Sequence, residues 1–199
     1  PLVGMVHPSV PANNLAELLA LARANPGALN YGSQGNGSGG HIGMAMLEQM
    51  ANVRMTHIPY KGPAPASLDL LGGRIDVLMD TVFSHVGNIR SSKVRAIGVT
   101  SLQRNPLFPD VSTISELGLT GFEVVGWFGL FAPAGTPRDI VLKLNAEIVR
   151  IMKEPDTKNL LTNQGLVVVA DSPEEFAQHV AREIAKWTKF IRGAKIEAD

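Results

Sequence analysis

The feature that most constrains the fold is an alternation of short apolar runs with segments whose apolar residues recur at helical spacing. The run Ile75–Met79 is typical of a strand buried on both faces, and the segment 83–90 after it has the spacing of a helix. Strands that alternate with helices in this way favour a parallel or mixed sheet covered by helices. The expected fold class is therefore α/β.

The predicted elements cover most of the chain. Strands are expected at 2–7, 29–32, 55–60, 75–79, 94–100, 124–132 and 167–169. Helices are expected after a cap at Asn13 or Asn14, and then at 38–51, 64–71, 83–90, 137–152, 155–163 and 172–191. Thr136 is the predicted N-cap of the helix that starts at Pro137, since threonine at the cap and proline at the first helical position is a favoured pair.

The two parts of the chain differ in their balance of strands and helices. Residues 8–122 give a complete alternation, whereas 123–199 offer two long helices and only two strands. Two helices on so small a sheet leave apolar stripes uncovered. We therefore expect a complete α/β lobe at 8–122. Segments 1–7 and 123–199 are expected to form hinge strands and the C-terminal part of a second, incomplete lobe that lacks its N-terminal segment.

Composition removes several classes of function. The 18 Lys and Arg residues balance 18 Asp and Glu residues, which gives no electrostatic reason to expect nucleic acid or an anionic membrane as partner. There is no cysteine, and no run approaches the ~20 apolar residues of a membrane-spanning helix. The five histidines lack metal-ligand spacing, and no serine lies in a G-x-S-x-G elbow. His41, near a predicted helix start, is expected to be a packing or capping residue and not a base. We predict no catalytic residue, metal or cofactor, and hence a protein that is not an enzyme.

A glycine-rich segment, 31–41, lies between a predicted strand and a predicted helix. Glycine allows positive φ, so such a loop can turn its N–H groups inward, and the helix that follows adds its dipole. The segment therefore predicts an anion site. Gly35, Gly37 and Gly40 also fit G-x-G-x-x-G, which keeps open a cytosolic enzyme or regulator that binds a nucleotide or phosphorylated metabolite. The acidic ribose-binding residue expected after the next strand is absent.

Two further loops follow strands that we expect to end at the same edge of the sheet. Tyr60, Lys61 and Gly62 follow one strand, and Asp80 follows another. Ligands of open α/β sheets bind outside the carboxyl ends of strands, so these residues are expected to face the glycine-rich segment. Lys61 is equally compatible with a solvated loop lysine, and Asp80 with a structural cap for the next helix.

The chain also resembles the Bug receptors, the extracytoplasmic substrate-binding proteins of tripartite tricarboxylate transporters. The likeness runs over essentially the whole chain and rests on ordered segments: 30–33 with 35–38 and His41, 58–62 with 65–66, 69–73, 94–97, 116–118, 127–130, 132–137 and 183–187. The resemblance implies a type II periplasmic-binding-protein fold, in which two lobes close on a ligand.

The resemblance also implies a function. Family members bind small carboxylates in the periplasm and deliver them to membrane permease subunits. Full-length members begin with a longer N-terminal part that supplies the other half of the site. By position, the resemblance assigns carboxylate binding to Ser33, Gly35, Asn36, Gly37 and Ser38, and cleft lining to Tyr60, Lys61, Gly62 and Asp80.

Overall fold

The computed structural model describes residues 1–194 and residue 196. The chain divides into a first compact unit, Pro1–Gly126, and a second that begins at Trp127. The first unit contains the whole sheet. The assignment of residues 1–7 and 123–199 to a separate lobe stays a prediction, although the first strand of the chain lies inside the sheet of the first unit.

The first unit is built on a mixed five-stranded sheet with the order β3-β2-β4-β1-β5. The strands are β1 (Leu2–Val6), β2 (Asn30–Ser33), β3 (Thr56–Pro59), β4 (Val77–Thr81) and β5 (Arg95–Val99). β2 is parallel to both β3 and β4, whereas β1 is antiparallel to β4 and β5. The predicted mixed α/β architecture is therefore what this part of the chain forms.

Helices connect the strands of the first unit: α1 (Leu15–Ala24), α2 (Gly39–Ala51), α3 (Pro63–Leu71) and α4 (Val82–Arg90). Asn14, and not Asn13, caps α1, because the Asn14 side chain accepts the N–H of Glu17 at 2.9 Å. The Glu17 carboxylate in turn accepts the N–H of Asn13 at 2.6 Å. The pair forms a capping box that fixes where α1 begins.

One core cluster lies where α3 and α4 pack against the sheet, and buried leucines of α1 and α2 add to the core of this unit. β1 is buried along its whole length because it has a neighbour on both sides. Its apolar side chains pack with those of β4, α3 and α4 in one cluster, which includes Val3, Met5, Leu78, Ala66, Leu70 and Val82. This packing holds the carboxyl ends of the strands in fixed positions.

The regular elements of the second unit are helices over its described residues. It contains α5 (Arg138–Lys153), α6 (Pro155–Thr162) and α7 (Pro173–Ala194), none of which has a buried residue. Phe176 of α7 packs against Trp127 and Phe131, with ring centroids 5.5 Å and 5.2 Å apart. Several aliphatic side chains of these helices are exposed, namely Ile140, Leu144, Ile151, Leu160 and Ile184. The sequence predicted such uncovered apolar stripes.

Two predicted strands do not form in the described chain. Segments 124–132 and 167–169 are irregular, because a strand needs a hydrogen-bonding neighbour along its length. Val124 donates one bond, to the Thr100 carbonyl at 3.0 Å, and Val167 and Val169 are 74% exposed. The predicted cap at Thr136 is also wrong. Pro137 is the N-cap of α5, and the Thr136 hydroxyl instead donates to the Pro133 carbonyl at 2.8 Å.

Candidate functional site

The carboxyl ends of β2, β3 and β4 meet at one edge of the sheet, because these strands are parallel. The glycine-rich loop (residues 34–38) follows β2, the loop 60–62 follows β3, and β4 ends at Thr81. The loops are bonded to each other: Tyr60 N–H donates to Ser33 O at 3.1 Å, and Gly62 N–H to Gln34 O at 3.2 Å. The fold thus brings together the three segments that the sequence singled out.

A crevice is expected between β2 and β4. From β2 the chain passes to β3, the outermost strand at one end of the strand order. From β4 it passes to β5, the outermost strand at the other end. Such a change of direction between neighbouring strands is where open α/β sheets bind their ligands. Both the glycine-rich loop and the Asp80–Thr81 end of β4 flank this point.

The glycine-rich loop is held by hydrogen bonds within the chain. Gly35 and Gly37 have φ of 129° and 72°, which a residue with a Cβ rarely adopts. The Ser33 hydroxyl donates to Gly35 O at 3.0 Å and accepts Gly35 N–H at 3.2 Å. Ser38 N–H donates to Gly35 O at 3.2 Å. Several of the N–H groups predicted to face an anion are therefore used to shape the loop.

Gln34 connects this loop to β4 and to α2, and it is not among the predicted site residues. Its side-chain N–H group donates to Met79 O at 3.0 Å, and its carbonyl accepts Gly40 N–H at 3.2 Å. It therefore joins the start of α2 to β4. Its place between Ser33 and Gly35 was the available signal, but a polar residue inside a loop does not reveal its partners.

Three stacked side-chain rings lie next to the glycine-rich loop. His57 of β3 stacks on Tyr31 of β2 at 4.9 Å and on His41 of α2 at 3.9 Å between ring centroids. His57 Nε2 is 2.7 Å from the Ser33 hydroxyl, and His41 Nδ1 accepts the N–H of Gly37 at 3.1 Å. Burial, followed by the neighbouring Glu48, raises the pKa of Tyr31. His41 is thus a capping and packing residue, as predicted.

Tyr60 and Lys61, in the loop that follows β3, differ in exposure. The Tyr60 hydroxyl donates to Asp69 Oδ2 at 2.7 Å, and Asp69 Oδ1 also accepts from Arg74 at 2.8 Å. Burial and the bond to Asp69 raise the pKa of Tyr60 to about 12. Lys61 is exposed. The hydroxyl of Tyr60 is therefore hydrogen-bonded to a residue of α3, whereas the side chain of Lys61 is exposed to solvent.

Asp80 is buried beside a histidine. Its Oδ2 lies 3.1 Å from His85 Nε2, and the two side chains are 6% and 1% exposed. Its Oδ1 accepts the N–H of Thr81 at 2.7 Å, and Thr81, not Asp80, is the N-cap of α4. Asp80 therefore stabilises the end of β4 and the start of α4, and a direct ligand contact for it stays a prediction.

The helices that begin at this edge share an electrostatic feature. Each of α2, α3 and α4 lacks an acidic residue in its first turn. The other helices carry such residues, namely Glu17, Asp139, Asp156, Glu174 and Glu175. Acidic residues normally stabilise a helix N-terminus. The partial positive charges of α2 and α3 therefore lack such a partner in the first turn, whereas at α4 the Asp80 carboxylate accepts the N–H of the Thr81 cap. Such an arrangement suits an anion.

Metal chemistry has no visible basis in the part of the chain that the structure describes. No group of three or more His, Asp or Glu side chains is placed to hold a metal ion there. Nor is any helix of the described residues long and apolar enough to cross a membrane.

A family model for the tripartite tricarboxylate transporter family receptor matches residues 1–196. The chain belongs to this receptor family. The resemblance noted in the sequence is therefore confirmed, and the family description names a receptor of a transporter, not an enzyme.

Two curated relatives of this receptor-family chain are longer than the chain itself. A protein from the tcbD–tcbE intergenic region of Pseudomonas sp. strain P51 is 43% identical over 195 residues, and BugT of Bordetella pertussis is 31% identical over 199 residues. The alignments cover 96% and 99% of this chain but 58% and 61% of the relatives. The chain thus spans about three fifths of the length of these proteins.

Solved structures of the same family match the fold closely. R. palustris Rpa4515 with adipate gives a TM-score of 0.92 at 33% identity. The superposition covers 98% of this chain and 66% of Rpa4515. The periplasmic binding protein BugD gives 0.88 at 32%, and MatC of Rhodopseudomonas palustris with bound malate gives 0.83 at 33%. Each is likewise covered to 67% or less by this chain. The predicted periplasmic-binding-protein fold is confirmed for the shared part.

Proposed function

We infer that the chain belongs to a receptor that binds a small carboxylate. The observation that carries this proposal is the edge where α2, α3 and α4 begin without an acidic first turn, beside the exposed Lys61. A carboxylate placed there interacts favourably with the helix N-termini and with an ammonium group, and meets no acidic first-turn side chain of these helices.

The ligand class we propose is a dicarboxylate. Among the structural neighbours, Rpa4515 is described with adipate and MatC with bound malate. The proposed contacts are those of the resemblance: Ser33, Gly35, Asn36, Gly37, Ser38, Tyr60, Lys61, Gly62 and Asp80. Because the hydroxyls of Ser33 and Tyr60 are bonded within the chain, we assign these two residues mainly to shaping the loops.

The wider assignment is also a proposal. Residues 8–122 serve as the ligand-binding lobe. Residues 1–7 and 123–199 supply hinge strands and part of a second lobe, whose exposed apolar stripes are covered in the complete protein. The receptor works in the periplasm and delivers its ligand to membrane permease subunits. This assignment is supported by the family and by neighbours described as periplasmic.

A thermal-shift screen of the complete protein that carries this chain tests the proposal. Malate, adipate and a panel of other small acids are compared with ATP and NAD as controls. At a hundred times the dissociation constant, a ligand stabilises the fold by roughly 2.7 kcal/mol. We expect a shift with at least one dicarboxylate and none in Gly37→Val, because valine cannot adopt the loop conformation at φ 72°. A shift with a nucleotide and none with any acid would refute the proposal.

A further inference from the structure

Ser38 and His41 form a reciprocal arrangement at the start of α2. Ser38 is the N-cap, and its hydroxyl accepts the N–H of His41 at 3.4 Å. In return, His41 Nδ1 accepts the N–H of Gly37 at 3.1 Å. The arrangement corresponds to a capping box, in which a Glu or Gln at the third helical position bonds back to the residue at the cap. Here a histidine takes that place and bonds back to a residue of the glycine-rich loop.

The geometry identifies the protonation state of His41. A backbone N–H can only donate, so the Nδ1 atom that accepts from Gly37 carries no proton. The ring is therefore neutral, with its proton on Nε2. Its face lies 3.9 Å from the ring of His57, a separation at which two imidazolium rings would repel each other. The acceptor that closes this capping box is uncharged.

An uncharged acceptor matters at this position because of what surrounds it. A Glu or Asp at residue 41 would hold Gly37 equally well and would favour the helix dipole. It would also place a negative charge where three helices begin without any acidic first-turn residue. A carboxylate ligand would be repelled by that charge. Histidine holds the loop without adding a negative charge.

We propose that His41 is a positioning residue that holds Gly37 and the glycine-rich loop through a neutral acceptor, so that the N-terminus of α2 stays free of negative charge for a carboxylate ligand. The proposal rests on the proposed function for the identity of the ligand. The role of His41 in holding the loop does not depend on that function. Protection of the Gly37 amide and binding of the ligand are therefore measured separately.

The test uses three substitutions at His41 in the complete protein. His41→Asn and His41→Asp place Oδ1 where Nδ1 lies and differ from each other mainly in charge. His41→Phe keeps a ring to stack on His57 but removes the acceptor. His7→Asn is the control, because His7 follows β1 at the opposite edge of the sheet and bonds to Ser9. Hydrogen exchange of the Gly37 amide reports on the loop, and calorimetric titration with malate and adipate reports on binding.

Each readout has an expected pattern. The Gly37 amide stays protected in His41→Asn and His41→Asp and loses protection in His41→Phe. Affinity for the dicarboxylate stays within about threefold of the wild type in His41→Asn and falls by roughly tenfold or more in His41→Asp and His41→Phe. His7→Asn changes neither readout. In the wild type, long-range ¹H–¹⁵N spectra find the proton of His41 on Nε2.

Two results overturn the proposal. One is a His41→Phe protein that protects Gly37 and binds like the wild type, which would make the ring stack sufficient. The other is a His41→Asp protein that binds as tightly as His41→Asn, which would make the charge irrelevant. If the wild type binds neither acid while the amide pattern is as expected, the loop-holding role is upheld and the dicarboxylate function fails.

Discussion

Gly40 of α2 lies directly against the carbonyl oxygen of Met79 in β4. A Cβ at Gly40 would overlap that oxygen and would come within 2.5 Å of Gln34 Oε1. Three residues later in α2, a Cβ at Gly43 would overlap the Met79 sulfur. The close approach of α2 to β4 therefore depends on two glycines that are one helical turn apart. This approach sets the distance between the start of α2 and the carboxyl end of β4.

Gly40→Ala is expected to destabilise the protein by about 2 kcal/mol, because a methyl group meets backbone that cannot move aside. Gly39→Ala is the matched control, since its Cβ would meet only Leu2 Cδ1 at 3.7 Å, an ordinary contact. We expect Gly39→Ala to be neutral or slightly stabilising. Urea unfolding of both variants measures the difference, and equal stabilities would contradict the role given to Gly40.

Asp80→Ala is expected to cost roughly 3 kcal/mol of unfolding free energy, because it leaves His85 buried without its carboxylate partner. The exposed pair Arg104 and Glu116, 2.9 Å apart, is the control. Glu116→Ala is expected to cost much less, because exposed ion pairs contribute little to stability.

A double-mutant cycle separates the Asp80–His85 interaction from other effects. The double variant Asp80→Ala, His85→Phe should recover part of the loss, because the buried imidazole that has lost its carboxylate partner is then removed as well. Strict additivity of the two single substitutions in denaturant unfolding would mean that the 3.1 Å contact contributes nothing specific.

Lys61→Gln is expected to weaken dicarboxylate binding by roughly two- to fivefold, the effect of one exposed charge pair. The loss should shrink as salt is added, because exposed charges are screened. Lys93→Gln removes an equally exposed charge that precedes β5, at the edge of the sheet away from the site. Titration calorimetry at low and high salt distinguishes the two variants, and an equal effect of both would indicate only a change in net charge.

Both tyrosines of the chain are expected to stay protonated at pH 10. The pKa of Tyr60 is raised to about 12 by burial and by Asp69, and the pKa of Tyr31 is raised by burial and by Glu48. A raised pKa means that the contribution of the neutral phenol to stability is complete below the unfolded value near pH 10. For Tyr60 that contribution is lost as the pH rises through about 12.

Absorbance at 295 nm measures phenolate directly. The folded protein should give little signal at pH 10, whereas both tyrosines should titrate near pH 10 in denaturant. In Tyr60→Phe only Tyr31 can contribute to the signal, so comparison with the wild type assigns the two transitions. A folded protein with one full phenolate at pH 10 would contradict the bond from Tyr60 to Asp69.

Much of the candidate site could be predicted from the sequence because it follows from strand order. Once β2, β3 and β4 were predicted as parallel, Ser33, Tyr60 and Asp80 had to lie at one edge. The capping role of His41 was predicted from its place at a helix start. What the sequence did not reveal is the direction of each hydrogen bond. The hydroxyls of Ser33 and Tyr60 bond to Gly35 and Asp69, partners set by loop shape and by the packing of α3.

The predicted strands at 124–132 and 167–169 were wrong for a related reason. An apolar run has the same appearance whether or not a neighbouring strand pairs with it, and in the described chain these segments have no such neighbour. β1 is the opposite case. The same kind of apolar run is buried throughout because β4 and β5 pair with it on both sides.

The sequence by itself determined the α/β class, the glycine-rich loop and the family, because these depend on local periodicity, on glycine's backbone freedom and on the order of motifs. Only the tertiary structure decided that Asp80 pairs with His85, that Gln34 joins α2 to β4 and that His41 accepts the N–H of Gly37. Each of these contacts joins different strands or helices, or depends on a loop shape, so its partners are fixed only when the sheet and its helices have packed.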